Sequence, residues 1–264
     1  MNLRIATWNI NSVRLRIELV ARYCKLHQPD ILCLQETKTQ DQHFPVKAFH
    51  DMGYPHLLFD GQKSYNGVAI ISKFPLEKMD IMDVTGDQAK RHIAGRIIAH
   101  DITIHNFYMP AGGDEPDPDI NPKFANKLAF LRALTQWTAD VKEERCVMVG
   151  DFNIAPYEHD VWSHKQLLKI VSHTPVEVDA LNGLRDAGGW VDTAREFVSL
   201  EDKCYSWWSY RNRDWKKSNR GRRLDHIWVT QPLKDHLKRY HHCEDARDWE
   251  KPSDHIPVLL ELEV

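Results

Sequence analysis

Apolar residues recur along this chain with two periods, and the switches between them mark out its elements. Leu3-Arg4-Ile5-Ala6-Thr7-Trp8 alternates apolar and polar positions, which predicts a half-buried strand ending at Asn9-Ile10-Asn11-Ser12. Ser12 is placed to cap a helix whose apolar positions Val13, Ile17, Val20, Tyr23 and Cys24 share one face before Pro29. Ile31-Leu32-Cys33-Leu34 is an apolar strand that stops at Gln35-Glu36-Thr37-Lys38. Tyr54 to Phe59 and Gly67 to Ser72 read as strands on either side of a polar turn at Lys63-Ser64-Tyr65-Asn66. The second is apolar almost throughout, hence central in its sheet. Ile93 to Phe107 reads as a hairpin joined near His100-Asp101, and it delivers Tyr108 to a strand end.

Pro122 opens a helix in which Phe124, Leu128, Leu131, Leu134 and Val141 recur at helical spacing, as expected of a helix covering a sheet. Cys146-Val147-Met148-Val149 predicts a strand buried on both faces, broken at Gly150 just before Asp151 and Asn153. From Pro156 to Val176 the periodicity is weak and the chain is expected to be irregular or short-helical. Val178 to Ala187 predicts a helix ending at Gly188-Gly189. Tyr205 to Tyr210 is strand-like and aromatic, and Leu224 to Val229 and Val258 to Leu262 are the last strands. Strands interspersed with helices predict two packed sheets with helices outside. No linker or repeat divides the chain, and the polar stretch from Gly112 to Asp119 is short enough to be a surface loop, so one domain over residues 1–264 is expected.

Charge then limits the partners. A formal net charge of −3 gives no whole-molecule attraction to a polyanion, so nucleic acid has to meet a local patch. Arg211, Arg213, Lys216, Lys217, Arg220, Arg222 and Arg223 supply one, as a run whose mutual repulsion disfavours an interior position. The five cysteines are odd in number and lack CxxC spacing, and they read as reduced and structural. The N-terminus shows neither a secretory pattern nor a membrane span, so a cytoplasmic location without a membrane partner is expected. No obligate protein partner is evident. His241-His242-Cys243 invites a metal reading, but adjacent side chains on a strand point to opposite faces, so no metal site is expected there.

What remains is a set of polar side chains placed where strands end: Asn9, Glu36, Tyr108, Asp151 and Asn153. An isolated Gly-Asp-x-Asn is usually just a turn. The wider set changes that reading. Trp8-Asn9-Ile10-Asn11, Leu34-Gln35-Glu36-Thr37-Lys38, Tyr108-Met109-Pro110, Gly150-Asp151-Phe152-Asn153-Ile154-Ala155-Pro156, Arg223-Leu224-Asp225 and Ser253-Asp254-His255 together resemble the exonuclease III family of abasic-site DNA endonucleases. The segments follow that family's order over essentially the whole chain. The resemblance implies a four-layered α/β sandwich, two packed mixed sheets flanked by helices, with these loops meeting at one end.

Gathered in one pocket, Glu36, Asp151, Asp225 and Asp254 cannot all stay ionised without a cation. Oxygen donors without cysteine or a histidine pair point to Mg²⁺ or Mn²⁺ rather than zinc. The resemblance implies that Glu36 is the most direct ligand, with Asn9 and Asp254 around the ion and Asp151 and Asn153 bordering it. It implies that Asp151 orients or deprotonates the attacking water and that Asn153 holds that water or a phosphate oxygen. His255, oriented by Asp225, would donate to a non-bridging oxygen, and Tyr108 would assist the phosphate or leaving group. On the substrate side it implies Asn11, the aromatic Trp207 and Trp208, the apolar Leu224 and the cations Arg211, Arg213 and Arg222. These would serve a base-less deoxyribose flipped from double-stranded DNA, or its 3′ ends. Arg222 stands where some members carry an aromatic residue, which leaves open the balance between abasic-site incision, 3′-exonuclease and 3′-phosphatase action. Two rival readings are a phosphoesterase of inositol or lipid phosphates and a nucleic-acid-binding protein with a vestigial site.

Overall fold

The computed structural model describes residues 2–81, 89–139, 144–212 and 214–264. Val141 and Arg213 lie outside the described residues. In chain order the strands are β1 (Asn2–Asn9), β2 (Ile31–Gln35), β3 (His56–Gln62), β4 (Tyr65–Ser72), β5 (Leu76–Lys78), β6 (His92–Ile97) and β7 (Ile102–Tyr108). They continue with β8 (Cys146–Asp151), β9 (Val191–Asp192), β10 (Trp207–Trp208), β11 (Gly221–Arg222), β12 (Asp225–Val229), β13 (Leu237–His242) and β14 (Val258–Glu263). Among the described residues β13-β14-β1-β2-β4-β3 form one six-stranded sheet and β5-β6-β7-β8-β12-β9 another, while β10 and β11 make a separate ribbon. Both sheets are mixed: β1 is parallel to β2 and antiparallel to β14, and β8 is parallel to β7 and antiparallel to β12.

The sheets pack face to face. Leu3, Ile5, Cys33, Ile70, Leu260 and Leu262 of the first meet Ile93, Ile104, Val147, Val149, Ile227 and Val229 of the second in one buried cluster. On its other face the first sheet sends Ala6, Trp8, Leu32 and Leu34 against Val20, Tyr23 and Phe49 of helices Ile17–His27 and Val46–Asp51. The second sends Phe107, Met148 and Trp228 against Phe124, Leu131, Leu181 and Leu184 of helices Pro122–Thr138 and Pro175–Gly188. The expected four layers are therefore present. Each such aliphatic side chain contributes about 1.5–3 kcal/mol by leaving water.

Several local expectations give way to tertiary contacts. β1 is buried on both faces from Ile5 onward rather than half-buried. Its Thr7 is tolerated because Gln35 Nε2 donates to the Thr7 hydroxyl at 2.9 Å and to Asn106 Oδ1 at 2.7 Å, forming a polar peg between the sheets. Ser12 does not cap the first helix, which begins at Ile17 after Arg16. The backbone N–H groups of Ser12 and Val13 are held instead by the carbonyls of Glu36 and Thr37, at 2.8 and 3.1 Å, so this segment cannot join the helix. The later helix starts at Pro175, three residues earlier than expected, behind a reciprocal Thr174–Glu177 cap. Only Trp207–Trp208 of the aromatic run is strand.

The basic run is also divided. Arg223 is fully buried, its guanidinium bonded to Asp160 at 2.8 and 3.0 Å and to Asp192 at 2.8 and 2.7 Å. Two carboxylates overcome the repulsion that alone would keep it outside.

Gly150 lies inside β8, which runs on through it to Asp151 rather than breaking there as expected, and its place admits no side chain. With φ at 140° and β8 pressed on β7, an added Cβ would lie 1.8 Å from the Phe107 carbonyl oxygen. Gly150→Ala is expected to cost about 2–4 kcal/mol of stability, read from urea unfolding midpoints.

Candidate active site

Strand register builds the site. Asn9 lies opposite Gln35 at the ends of parallel β1 and β2, which puts Glu36 next to it. Tyr108 pairs with Asp151 at the ends of β7 and β8, and Asp225 pairs with Asp151 from the antiparallel β12. His255, just before β14, bridges to Trp207 of the ribbon. Residues far apart along the chain thus meet where the two sheets end together, and the backbone there is unusual. Asn11, Glu36 and Asn153 all hold positive φ, at 47°, 50° and 55°. Non-glycine residues adopt such angles only where surrounding contacts impose them.

Asn9 is the hinge of the geometry: its Nδ2 donates to Glu36 Oε1 at 2.8 Å and to Asp151 Oδ2 at 2.9 Å. Asp151 Oδ1 accepts the Asn153 backbone N–H at 2.9 Å, and Asn153 Nδ2 donates to Asp151 Oδ2 at 3.2 Å and to the Met109 carbonyl at 3.0 Å. His255 Nδ1 is 2.7 Å from Asp225 Oδ2, and its Nε2 points at Asp151 Oδ2 from 3.7 Å. The Asp254 carboxylate accepts from Asn11 Nδ2 at 3.2 Å and from Trp207 Nε1 at 3.0 Å.

Burial and charge tune these groups. Burial raises the Asp151 carboxyl to about 7, with Asp225 and Glu36 adding to the rise and His255 and the Asn9 amide opposing it. Burial alone would depress the His255 imidazole, but Asp225 and Asp151 outweigh it and lift the group to about 10. Burial pushes Glu36 up, yet the Asn9 amide and the Lys38 ammonium hold it below its ordinary value. Tyr108 is raised far by burial and by the charges of Glu36 and Asp151, so it remains a phenol able to donate.

The sign of the His255 shift can be tested directly. Its folded-state value lies above the ordinary 6.5, so the imidazolium adds stability that is full below about 6.5 and is lost as pH rises through about 10. Asp225→Asn removes the strongest attraction, and an NMR titration of the His255 ring is expected to show its midpoint fall by at least ~1 unit.

The donor set suits a hard divalent cation. Glu36, Asp151 and Asp254 offer carboxylate oxygens, while Asn9 and Asn153 here turn their amide nitrogens toward Asp151, and the burial that raises Asp151, with Asp225 and Glu36 adding to it, is what an added positive charge relieves. Lys38 Nζ already sits 2.7 Å from Glu36 Oε2, so this edge of the pocket receives positive charge. Among the described residues Asp151, Asp225 and His255 are the one group of three whose possible ligand atoms all lie within 4.8 Å of one another. There, however, His255 is held protonated and engaged by Asp225, and an imidazolium has no lone pair for a metal.

On the substrate side Trp207 is half-buried beside Asp254, and the Arg222 guanidinium lies 5.3 Å from its ring centroid. Arg222 also donates to the Val171 carbonyl at 3.0 Å and the Ser172 hydroxyl at 2.7 Å. Arg211 is exposed on the loop after the ribbon's first strand. Trp208 and Leu224, in contrast, are almost wholly buried. Neighbouring strand residues face opposite ways, so Trp208 turns inward, 2% exposed, with its Nε1 on Asn219 Oδ1 at 3.1 Å. Leu224, 4% exposed, packs with Ala155, Val161 and Leu167 behind Trp207.

Sequence reasoning assigned no role to three residues that shape the pocket. Lys38 donates to Asn11 Oδ1 at 2.7 Å besides pairing with Glu36, and as the cation of Gln35-Glu36-Thr37-Lys38 it was there to be noticed. The Ser206 hydroxyl donates to Asp225 Oδ2 at 2.6 Å, and nothing in an aromatic run signals this. The Arg91 guanidinium lies 4.9 Å from the Tyr108 ring centroid.

Comparison with known proteins agrees with this geometry. Residues 6–255 match the endonuclease/exonuclease/phosphatase family. The exodeoxyribonuclease III of Haemophilus influenzae is 30% identical over 98% of this chain and 100% of its own length. An AP endonuclease from Archaeoglobus fulgidus superposes with a TM-score of 0.92 at 32% identity, covering 99% of this chain and 100% of that one. A 3′ phosphatase from Neisseria, solved with a product DNA hairpin, superposes at 0.91 with 32% identity, over 99% and 100% of the two chains. Sequence, fold and the meeting of the motif residues at one sheet end lead to one assignment: the chain belongs to the endonuclease/exonuclease/phosphatase family, in its exonuclease III and AP-endonuclease group.

Proposed function

We propose that this chain is a Mg²⁺-dependent DNA-repair nuclease that cuts duplex DNA 5′ to abasic sites and removes nucleotides or phosphate from 3′ ends. The observation that carries the reading is Asp151. Its carboxyl is buried and raised to about 7, joined to Asn9 and Asn153, and faced by a protonated imidazole at 3.7 Å. A base with that value accepts a proton from water near neutral pH without holding it too tightly. Asn153 orients the water through its amide. His255 donates from Nε2 to a non-bridging phosphoryl oxygen, where charge grows in the transition state, and Asp225 keeps it protonated and aimed. Tyr108, kept neutral, donates to the phosphate or the leaving oxygen. A magnesium ion held by Glu36, Asn9 and Asp254 would supply Lewis-acid stabilisation of the phosphoryl oxygens.

DNA as substrate is supported by the relatives' names and by the product hairpin on the Neisseria 3′ phosphatase. On this chain it is supported by Trp207, which donates to Asp254 with Arg222 beside its ring, and by the exposed Arg211 on the following loop, an aromatic face with cations for a sugar and its phosphates. With the family match running over residues 6–255, a single catalytic domain over 1–264 is part of the proposal. Free, buried cysteines support a reducing, cytoplasmic setting. No helix among the described residues is long and apolar enough to cross a membrane.

The test is a panel of duplexes carrying an abasic site, a recessed 3′ end or a 3′-phosphate, each with Mg²⁺ and with EDTA. Metal-dependent product from the abasic and 3′-end duplexes is expected, and EDTA is expected to abolish it. Inert DNA together with turnover of an inositol phosphate would replace the proposal by the lipid-headgroup reading.

A further inference from the structure

His241-His242-Cys243 lies on and just beyond β13, the edge strand of the first sheet. As alternation requires, the His242 ring turns inward, 2.9 Å from the Tyr240 hydroxyl and 3.7 Å from the Cys204 thiol. The same alternation returns His241 and Cys243 to a common side, and there a third group joins them that no local pattern announces. His27, the last residue of helix Ile17–His27, places Nε2 3.2 Å from Cys243 Sγ. Its ring centroid is 5.7 Å from that of His241. These three side chains line one cavity of about 300 Å³ together with Asp245, Glu244 and Arg22, and as placed only His27 and Cys243 stand at ligand spacing, so three-point binding needs the His241 ring to turn.

We propose that His27, His241 and Cys243, with Asp245 beside them, form a second cation site that takes a thiophilic divalent ion of the Zn²⁺ class. A nitrogen and a sulfur sharing a tetrahedral zinc, at bond lengths of about 2.0 and 2.3 Å, stand roughly 3.5 Å apart, close to what His27 and Cys243 already show. Stacking on Tyr23, with ring centroids 4.8 Å apart, holds the His27 ring so that Nε2 faces the thiol. His241 is half-exposed, so its side chain has room to turn toward the pair. Burial, together with neighbouring Arg239, lowers both imidazoles and keeps their lone pairs available. Burial raises the Cys243 thiol, so ligation displaces a proton. Nitrogen and sulfur donors make this site chemically distinct from the oxygen-lined pocket around Glu36, and it plays no part in the proposed hydrolysis.

Cobalt(II) is the probe, because a cobalt–thiolate bond gives a charge-transfer absorption that oxygen and imidazole donors do not. Titration of the full chain with Co²⁺ in the presence of Mg²⁺ is expected to develop that band to saturation at about one equivalent, reversed by Zn²⁺. Cys243→Ser should abolish the band, and His27→Ala should weaken binding by more than about 10-fold. Glu36→Gln, which alters only the oxygen site, should leave the band intact. A folded wild-type chain that shows no band, or a band that survives Cys243→Ser, overturns the proposal.

Discussion

Asp151→Asn is expected to lower turnover on a duplex with an abasic site by about 10³- to 10⁴-fold, with KM changed only a few-fold. An amide preserves the size of the side chain, and its one oxygen can still accept from the Asn153 N–H while the Asn9 amide, which bonded the other carboxylate oxygen, has to turn; it cannot take a proton from water. The accompanying stability change has the opposite sign. Burial raises the Asp151 carboxyl from 3.8 to about 7, so ionising it costs the folded state stability as pH rises through that window. A neutral amide avoids the cost, and the variant's melting temperature at pH 8 should equal or exceed that of the wild type. Steady-state kinetics and a thermal melt on the same preparation check both parts. Full activity in the variant would remove Asp151 as the base. Lost activity with a lowered melting temperature would mean that the residue is mainly structural.

Lys127→Met is expected to destabilise the fold by about 3–5 kcal/mol, measured by urea unfolding. Lys127 and Glu177 are both fully buried and lie 2.5 Å apart, one on each of the two helices covering the second sheet. Removing the ammonium strands a carboxylate that also accepts from Ser172 N at 3.0 Å and from the Thr174 hydroxyl at 2.6 Å. The same ammonium donates to the Asn153 carbonyl at 2.8 Å, so the catalytic turn loses a tether as well. Because the main penalty is the unpaired charge, Lys127→Met combined with Glu177→Gln should recover part of the loss. A double-mutant cycle with no coupling between the two sites would sink this account.

Much of this molecule was legible along the chain because short-range rules govern it. The apolar run Ile31–Leu34 could only be a buried strand, and Phe124, Leu128, Leu131 and Leu134 could only be one helical face against a sheet. Asn9, Glu36, Tyr108, Asp151 and Asn153 could be placed at strand ends for the same reason, since a polar residue that closes an apolar strand lies at the sheet's rim. Their convergence required the resemblance or the register, because pairing of β8 with β12 brings Asp225 to Asp151 across 73 intervening positions that carry no mark of it.

The misplacements share one cause. Arg223 looked like a surface cation until Asp160 and Asp192 closed on it, and Trp208 looked like a stacking platform until the ribbon turned it inward. Ser12 looked like a helix cap until the carbonyl of Glu36 took its N–H. His27 had no visible tie to Cys243, 216 positions away. Local order follows from backbone geometry and the period of apolar side chains, both of which are written in neighbouring residues. Partnership between charges and hydrogen-bonding groups depends on which distant segments packing brings within about 3 Å, and only the folded chain sets that distance.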